Sequence, residues 1–270
     1  MSQLSSDHDA SETYQQHLVP AIFVSASEIL LYYAAPQPGD RVLDVACGTG
    51  IVTRQAAAML GGKGQVAGID LNPAMLQVAV TLSQPTSPLI EWRQGDAEAL
   101  PYPDASFDLV LCQHGLQFFE DKRAAVAEMR RVLAPGGRVA INVHQSLDHN
   151  PVYKIFTDSL IKHLGATTLT RSFSFGRADA LYTLLKEAGF CDIEIVQAVQ
   201  NAMFPSIEVF THVSLLGSGQ PLPELATLNA LERAELIGSV ENDLNHALTP
   251  FLDGSALVFP LKMNVATARA

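Results

Sequence analysis

Cysteine and positive charge are both scarce in this chain of 270 residues. The three cysteines, Cys47, Cys112 and Cys191, are odd in number, far apart and without Cys-x-x-Cys spacing. They indicate neither a disulfide framework nor a zinc site, and they fit a reducing, cytoplasmic location. Lys and Arg number 17 against 28 Asp and Glu, for a formal net charge of −11. Such an acidic chain is poorly matched to the phosphate backbone of a nucleic acid, so we expect no nucleic-acid partner.

The sequence pattern predicts neither a signal peptide nor a membrane span. The N-terminus, MSQLSSDHDASE, lacks the basic start and apolar stretch of a signal peptide. The most apolar early segment, AIFVSASEILLYYAA, is short for a span and carries Glu28 in its middle. We therefore expect no membrane span. The length suits one well-filled core better than two full domains, and it leaves monomer and homodimer both open.

Apolar runs rich in β-branched residues alternate with amphipathic stretches along most of the chain. Repeated strand–helix–strand units predict a Rossmann-like, doubly wound α/β fold, a seven-stranded and mostly parallel sheet with helices on both faces. A helix is predicted at 11–33, where apolar residues recur every three or four positions. The strands are predicted at 41–46, 65–70, 89–94, 107–112, 138–143, 192–199 and 256–268.

Two stretches interrupt this alternation, at about 144–176 and 200–254. Both are long and rich in Phe and Leu, which indicates inserted cap or lid segments rather than a separate domain. We expect an N-terminal tail and cap helix at 1–36, followed by a single domain at 37–270.

Three acidic residues follow successive strands at equal intervals along the chain: Asp44, Asp70 and Asp96. Because parallel strands present their carboxyl ends at one edge of a sheet, the three carboxylates should reach the same rim. Like charges repel, so a ligand rich in donors, and preferably positively charged, is expected there. Each acid alone could instead cap a helix or a turn.

The segment RVLDVACGTGIVTR places Gly48 and Gly50 directly after the first strand. A dinucleotide fingerprint requires a third glycine where this chain has Thr53, and this disfavours a nicotinamide-dependent oxidoreductase. The Gly-Lys-Ser/Thr sequence of a P-loop is absent. The loop can therefore approach a ligand closely without forming a pyrophosphate site.

Four motifs occur in order: VLDVACGTG, VAGIDLNPAML, GDAEALPYPDASFDLVLCQHGLQFF and EMRRVLAPGGRVAI. They resemble the successive motifs of class I S-adenosylmethionine-dependent methyltransferases, and specifically the type 11, quinone-biosynthesis-like branch. The resemblance covers roughly residues 37–145. It implies an antiparallel last strand, S-adenosylmethionine as cofactor and S-adenosylhomocysteine as product. Ala46 stands where many relatives have glycine, and we expect its small methyl group to be tolerated.

The resemblance also implies a role for each residue of the cofactor site. Gly48 and Gly50 would let the backbone approach the methionyl part of the cofactor, and Gln113 would lie near the reacting methyl. Asp70 would accept hydrogen bonds from both ribose hydroxyls, and Asp96 would bind the adenine amino group. The full set is Asp44, Ala46, Gly48, Gly50, Asp70, Leu71, Met75, Asp96, Ala97 and Gln113, with Leu71 and Met75 packing against the adenine.

Methyl transfer from a sulfonium is an in-line displacement, which requires an aligned acceptor and exclusion of water. A general base is needed only where the acceptor must lose a proton early. The candidates are His114 and His144, which follow the fourth and fifth strands, and Tyr14 and His17 on the N-terminal helix. Each histidine could instead be simply hydrogen-bonded at a strand end.

The acceptor is predicted to be a small apolar or aromatic molecule, methylated without a metal. The Asn/Asp-Pro-Pro-aromatic motif of nucleic-acid amino methyltransferases is missing after the fourth strand, and no convincing metal-ligand spacing is present. The alternative is a non-catalytic S-adenosylmethionine-binding partner or scaffold protein. Apolar side chains of the inserted segments could line the acceptor pocket or form only the core of the cap. They are Phe156, Leu160, Phe173, Phe175, Phe204, Phe210, Leu215 and Leu216.

Overall fold

A computed structural model describes residues 10–83, 90–165, 167–216 and 223–270. Its centre is a single sheet in the order β3-β2-β1-β4-β5-β8-β6, and β7 pairs with β8 outside this order. Strands β1 to β5 pair in parallel, whereas β8 lies antiparallel between β5 and β6. The strands are β1 (Arg41–Val45), β2 (Gln65–Asp70), β3 (Ile90–Gln94), β4 (Phe107–Gln113), β5 (Leu133–His144), β6 (Cys191–Phe204), β7 (Leu252–Asp253) and β8 (Ala256–Arg269).

The prediction of a Rossmann-like, mostly parallel α/β sheet with an antiparallel last strand is confirmed. The described residues contain one strand more than predicted, because the two-residue β7 forms a tight hairpin with β8 that is too short to show a periodicity. Strand β6 also runs five residues further than predicted. Its ladder with β8 continues to Phe204, opposite Leu257, into residues that the sequence pattern had assigned to an insertion.

Helices cover both faces of the sheet and form the cap. Three of the described helices begin with side-chain caps: Asn72 accepts from the amide of Ala74, Asp121 from the amide of Arg123, and Asn229 from the amide of Leu231. The α-helices of the described residues are α1 (Val24–Ala34), α2 (Ile51–Leu60), α3 (Pro73–Leu82), α4 (Lys122–Val132), α5 (Pro151–Leu164), α6 (Ala178–Glu187), α7 (Ile207–Leu216), α8 (Pro223–Ala226) and α9 (Ala230–Ala247).

The N-terminal helix departs from the predicted regular α-helix. It spans Ala10–Ala34, and its stretch Tyr14–Phe23, which contains Pro20, is π-helical before α1 continues it. This helix has 25 residues and contains an 18-residue window of mean hydropathy 1.4, so by length and composition alone it could cross a membrane, contrary to the expectation that the segment is too short. In the structure, however, one face of α1 packs on the sheet, where Ala26 and Leu30 are fully buried. The tail predicted before this helix falls mostly on residues 1–9, outside the described range.

The hydrophobic core has one cluster on each face of the sheet and a third in the cap. The cap cluster combines α5, α7 and α9 with the ends of β6 and β8. It contains six of the apolar residues of the inserted segments, whereas Phe175 packs on the sheet and the side chain of Leu216 lies outside the described part. The six residues, which thus form the cap's own core, are Phe156, Leu160, Phe173, Phe204, Phe210 and Leu215.

A pair of substitutions tests whether α1 is part of the folded core. Leu30→Ala should lower the free energy of unfolding by about 2–5 kcal/mol, because it leaves a cavity under a fully buried side chain. Tyr32→Ala, on a side chain that is 77% exposed, should change it by less than about 0.5 kcal/mol. Urea denaturation measures both values. Equal effects of the two substitutions would show that α1 does not pack on the sheet in solution.

Candidate active site

The carboxyl ends of β1, β2 and β3 meet at one edge of the sheet. Beyond the strand pairing, the amide of Cys47 donates to the carbonyl of Ile69 at 3.0 Å. The amide of Gly95 donates to the carbonyl of Asp70 at 3.1 Å. These bonds hold the loops that follow the three strands side by side. The three acids expected at this rim are therefore brought to the same edge.

Asp44 is almost fully buried at the end of β1. One carboxylate oxygen, Oδ2, accepts a 2.6 Å hydrogen bond from the hydroxyl of Thr53. The other oxygen, Oδ1, is buried and has no hydrogen-bond partner in the described part of the chain. Burial raises the pKa of Asp44 to about 7, against the opposing effect of the Thr53 hydrogen bond. A buried acid with one free oxygen is suited to a cationic or hydrogen-bond-donating ligand.

Asp70, the last residue of β2, holds the glycine loop in place through a hydrogen bond. Its Oδ2 accepts from the amide of Gly48 at 2.7 Å, and its Oδ1 accepts from the amide of Asn72 at 2.8 Å. Burial raises the pKa of Asp70, while these amide bonds favour its charged form. Each carboxylate oxygen can accept a second hydrogen bond, so both retain capacity for a ligand's hydroxyls.

The glycine loop adopts a backbone that most residues avoid. Gly48 and Gly50 have φ values of 55° and 82°, and a Cβ on Gly50 would overlap the indole ring of Trp92. Ala46 has a φ of 57°, in the left-handed region that costs a non-glycine residue about 1–2 kcal/mol. Its methyl group is accommodated, yet the backbone at this position is strained. The expectation that alanine is tolerated here considered only the size of its side chain. The left-handed backbone adds a cost that glycine would not have.

The outer part of the rim contains the residues expected around an adenine. Asp96 is exposed, and its Oδ1 accepts from the amide of Glu98 at 2.9 Å. Ala97, the next residue in the chain, and Met75 on α3 are buried, whereas Leu71 is 65% exposed. An exposed leucine next to Asp70 is an apolar surface that a flat ring could cover.

Tyr14 approaches this edge from the N-terminal helix. Its hydroxyl would lie 3.9 Å from a Cβ on Gly48, and its ring stacks on Phe23 at 5.1 Å. Burial raises the pKa of Tyr14, and the neighbouring carboxylates of Asp70 and Asp44 raise it further. Of the two candidates on this helix, Tyr14 therefore faces the glycine loop, whereas His17 is exposed to solvent.

His114 and His144 lie together at the ends of β4 and β5. Their rings stack with centroids 3.8 Å apart and an interplanar angle of 17°. Both are buried, and burial lowers the pKa of His144 to about 3 and that of His114 well below its usual range. Both imidazoles are consequently neutral at physiological pH. Neither ring nitrogen of His114 has a hydrogen-bond partner in the described residues, and Nδ1 of His144 has none there either.

Other buried polar atoms around the edge also lack partners within the described range. Gln113 donates from Nε2 to the carbonyl of Phe23 at 3.3 Å, but its Oε1 is unpaired. The hydroxyl of Thr49 and Oε1 of Gln117 are unpaired as well. Buried polar groups in folded proteins are nearly always satisfied, so these unpaired atoms are available to a polar ligand at the edge. A cation that carries donors, beside Asp44 and Asp70, matches this set of acceptors.

Comparison with known proteins agrees with this geometry. A family model described as a methyltransferase domain matches residues 43–141. The ubiquinone/menaquinone biosynthesis C-methyltransferase UbiE of Hahella chejuensis is 35% identical over 169 residues, covering 57% of this chain and 68% of that protein. UbiE of Shewanella frigidimarina is 36% identical over 138 residues, covering 49% and 55%. The 2-phytyl-1,4-naphtoquinone methyltransferase of Synechococcus elongatus is 40% identical over 111 residues, covering 40% and 48%. The matches thus span about half to two thirds of the length of these relatives.

Solved structures share the fold at low sequence identity. YcgJ of Bacillus subtilis superimposes with a TM-score of 0.59 at 20% identity, covering 91% of this chain and 97% of that one. The [4+2]-cyclase SpnF superimposes with a TM-score of 0.55 at 19% identity, covering 91% and 80%.

The fold and the edge described above are those of class I methyltransferases. The chain belongs to the S-adenosylmethionine-dependent methyltransferases of this class, in the quinone-biosynthesis-like branch that its four motifs resemble. S-adenosylmethionine is the cofactor of this family.

Several residues of the site escaped the sequence analysis. Thr53 was noted only because it is not glycine, yet its hydroxyl holds Asp44. Asn142, fully buried on β5, accepts from the His114 amide at 3.1 Å and donates to the carbonyl of Ala26 at 3.3 Å. A threonine in the first turn after the loop could have been noticed as a possible donor to Asp44. No local pattern indicates Asn142, because its partners come from distant segments.

The buried carboxyl of Asp44 predicts a pH dependence of stability in the absence of ligand. Its pKa in the folded chain is about 7, above the ordinary value, so the folded state loses stability through this group as the pH rises from about 4 to about 7. Asp44→Asn removes that titration and keeps the size of the side chain. Between pH 5 and pH 8, the unfolding free energy of the wild-type chain should fall by about 2–4 kcal/mol more than that of the variant, measured with urea. Parallel pH profiles would contradict this assignment.

Proposed function

We propose that this protein transfers the methyl group of S-adenosylmethionine to a small apolar or aromatic molecule by in-line displacement, without a metal. The proposal is carried by one observation: a buried carboxylate oxygen of Asp44, at the end of β1, has no hydrogen-bond partner among the described residues, and Asp70 holds the neighbouring glycine loop. The names of the relatives, which refer to ubiquinone, menaquinone and a phytyl naphthoquinone, support an acceptor with an aromatic ring.

The chain's own residues supply binding, orientation and exclusion of water. Asp44 would balance the positive charge at the methionyl end, Asp70 would accept from the ribose hydroxyls, and Asp96 would bind the adenine amino group at the exposed rim. The bound cofactor supplies the reactive methyl group. Tyr14 and Phe23 of the N-terminal helix cover the edge. They would keep water from the reacting atoms.

Strong base catalysis is not part of the proposed mechanism. His144 has a pKa of about 3, and burial lowers that of His114 as well, so neither imidazole is a good proton acceptor at neutral pH. The raised pKa of Tyr14 keeps its phenol protonated. We propose that rate enhancement comes from alignment of the acceptor with the methyl group. Metal independence stays a prediction; within the described ranges no three His, Cys, Asp or Glu side chains are grouped to hold an ion.

Calorimetric titration with S-adenosylhomocysteine tests the cofactor site. Asp70→Asn should weaken binding at least about tenfold, because the amide can replace only one of the two acceptor oxygens and presents a donor to the other partner. Asp158→Asn removes an exposed carboxylate of α5 and serves as the matched control, with unchanged affinity. An unaltered affinity in Asp70→Asn would refute the assignment.

Mass spectrometry separates the enzyme from the scaffold alternative. Purified protein with S-adenosylmethionine and a panel of reduced naphthoquinones should yield S-adenosylhomocysteine together with acceptors that have gained one methyl group. Cofactor binding without any product across a broad acceptor panel would favour the non-catalytic alternative.

A further inference from the structure

The stacked imidazoles of His114 and His144 form an uncommon buried pair. Aromatic rings flank the pair on both sides: Phe173 stacks on His144 with ring centroids 5.2 Å apart, and Phe23 packs against His114 at 5.9 Å with its ring tilted by 59°. The backbone of His114 is left-handed, with a φ of 48°, and its amide donates to both the carbonyl and the side-chain oxygen of Asn142. The pair is therefore held in place by the fold at some conformational cost.

Three of the four ring nitrogens of this pair make no hydrogen bond to the described part of the protein. Nδ1 and Nε2 of His114 and Nδ1 of His144 are buried and have no hydrogen-bond partner among the described residues. An unsatisfied buried polar group is expensive, and such groups in native proteins call for an explanation. A phenylalanine at either position would keep the aromatic stacking and would avoid the free-energy cost of burying unpaired nitrogens. The nitrogens therefore point to a ligand that they contact.

The position of the pair fits the acceptor rather than the cofactor. Phe23 contacts both His114 and Tyr14, and Tyr14 approaches Gly48. Gln113, which precedes His114, bonds the carbonyl of Phe23. The pair thus lies one aromatic layer away from the glycine loop, on the side of the cap core that contains Phe173.

We propose that the stacked His114–His144 pair binds a hydroxyl or carbonyl oxygen on the ring of the acceptor through neutral imidazole hydrogen bonds, and so positions the ring for methyl transfer. This inference rests on the proposed function. A neutral imidazole offers one N–H donor and one acceptor nitrogen, which suits an uncharged oxygen group. A site built to hydrogen-bond such a group rejects the analogue that lacks it, because its own polar atoms are then left unpaired. The pair would therefore determine specificity without removing a proton.

Two bicyclic probes of similar shape test this role: 1-naphthol and 1-methylnaphthalene. Their affinities are measured by calorimetry on the full chain saturated with S-adenosylhomocysteine. The wild-type chain should bind 1-naphthol about tenfold more tightly or better. His144→Phe and, independently, His114→Phe should bring the affinity ratio close to one while S-adenosylhomocysteine affinity is retained. His144 lies in extended backbone, so its variant avoids the left-handed strain at position 114.

Two further variants distinguish hydrogen bonding from packing. His144→Gln keeps a donor near the original nitrogen and should retain part of the preference for 1-naphthol. His163→Phe removes a histidine of α5 that bonds Asp243, away from the edge, and should leave the ratio unchanged. A wild-type ratio near one, including no binding of either probe, or an unchanged ratio in both phenylalanine variants would overturn the proposal. If the wild-type chain does not bind S-adenosylhomocysteine at all, the proposed function itself would be refuted.

Discussion

The burial of a carboxylate at the end of β1 is the constraint around which this site is arranged. Asp44 is removed from water, and the hydroxyl of Thr53 satisfies only one of its oxygens. Because an unpaired buried charge is costly, the pKa of Asp44 in the folded chain without ligand is raised to about 7, so that part of this group is protonated near neutral pH. A ligand that brings positive charge or donors to the free oxygen is stabilised at the same point. The residue that would bind the cofactor is thus also one that costs the empty fold stability.

Strain is concentrated at the same edge. Ala46 and His114 both have left-handed backbone, and they follow two neighbouring strands, β1 and β4. A Cβ on Gly115 would lie 2.6 Å from the methyl group of Ala46, so the two strained turns are in contact and Gly115 is required for their approach. Non-glycine residues in this conformation are tolerated where the surrounding structure fixes them, and they are common at functional sites. Here the turns place the glycine loop near Tyr14, and they place His114 against Phe23; Tyr14 and Phe23 are both residues of the N-terminal helix.

The sequence predicts the framework of this arrangement well and its cap poorly. Strands such as β2 and β4 are continuous apolar runs bounded by turn residues, so their position and their common edge with Asp44 and Asp70 follow from local pattern. Partners such as Thr53 or Asn142 depend on how separate segments meet, which no periodicity records. The extension of β6 along β8 and the π-helical stretch Tyr14–Phe23 have the same origin, since tertiary pairing and packing decide them. The burial that neutralises both histidines likewise requires the assembled cap.

The fold alone does not establish methyl transfer, because a [4+2]-cyclase superimposes on nearly the whole chain. The reaction depends on the residues at the carboxyl ends of the strands. The acidic side, with Asp44, Asp70 and Asp96, suits a cationic nucleoside and lies within the segment matched by the methyltransferase family model. The other side, with neutral stacked imidazoles between Phe23 and Phe173, suits an uncharged ring that bears oxygen. In the proposed function, this difference in charge between the two halves of the site would match two partners of different charge. An oxygen on the acceptor ring can then be held by His114 and His144 without competing for the carboxylates that bind the cofactor.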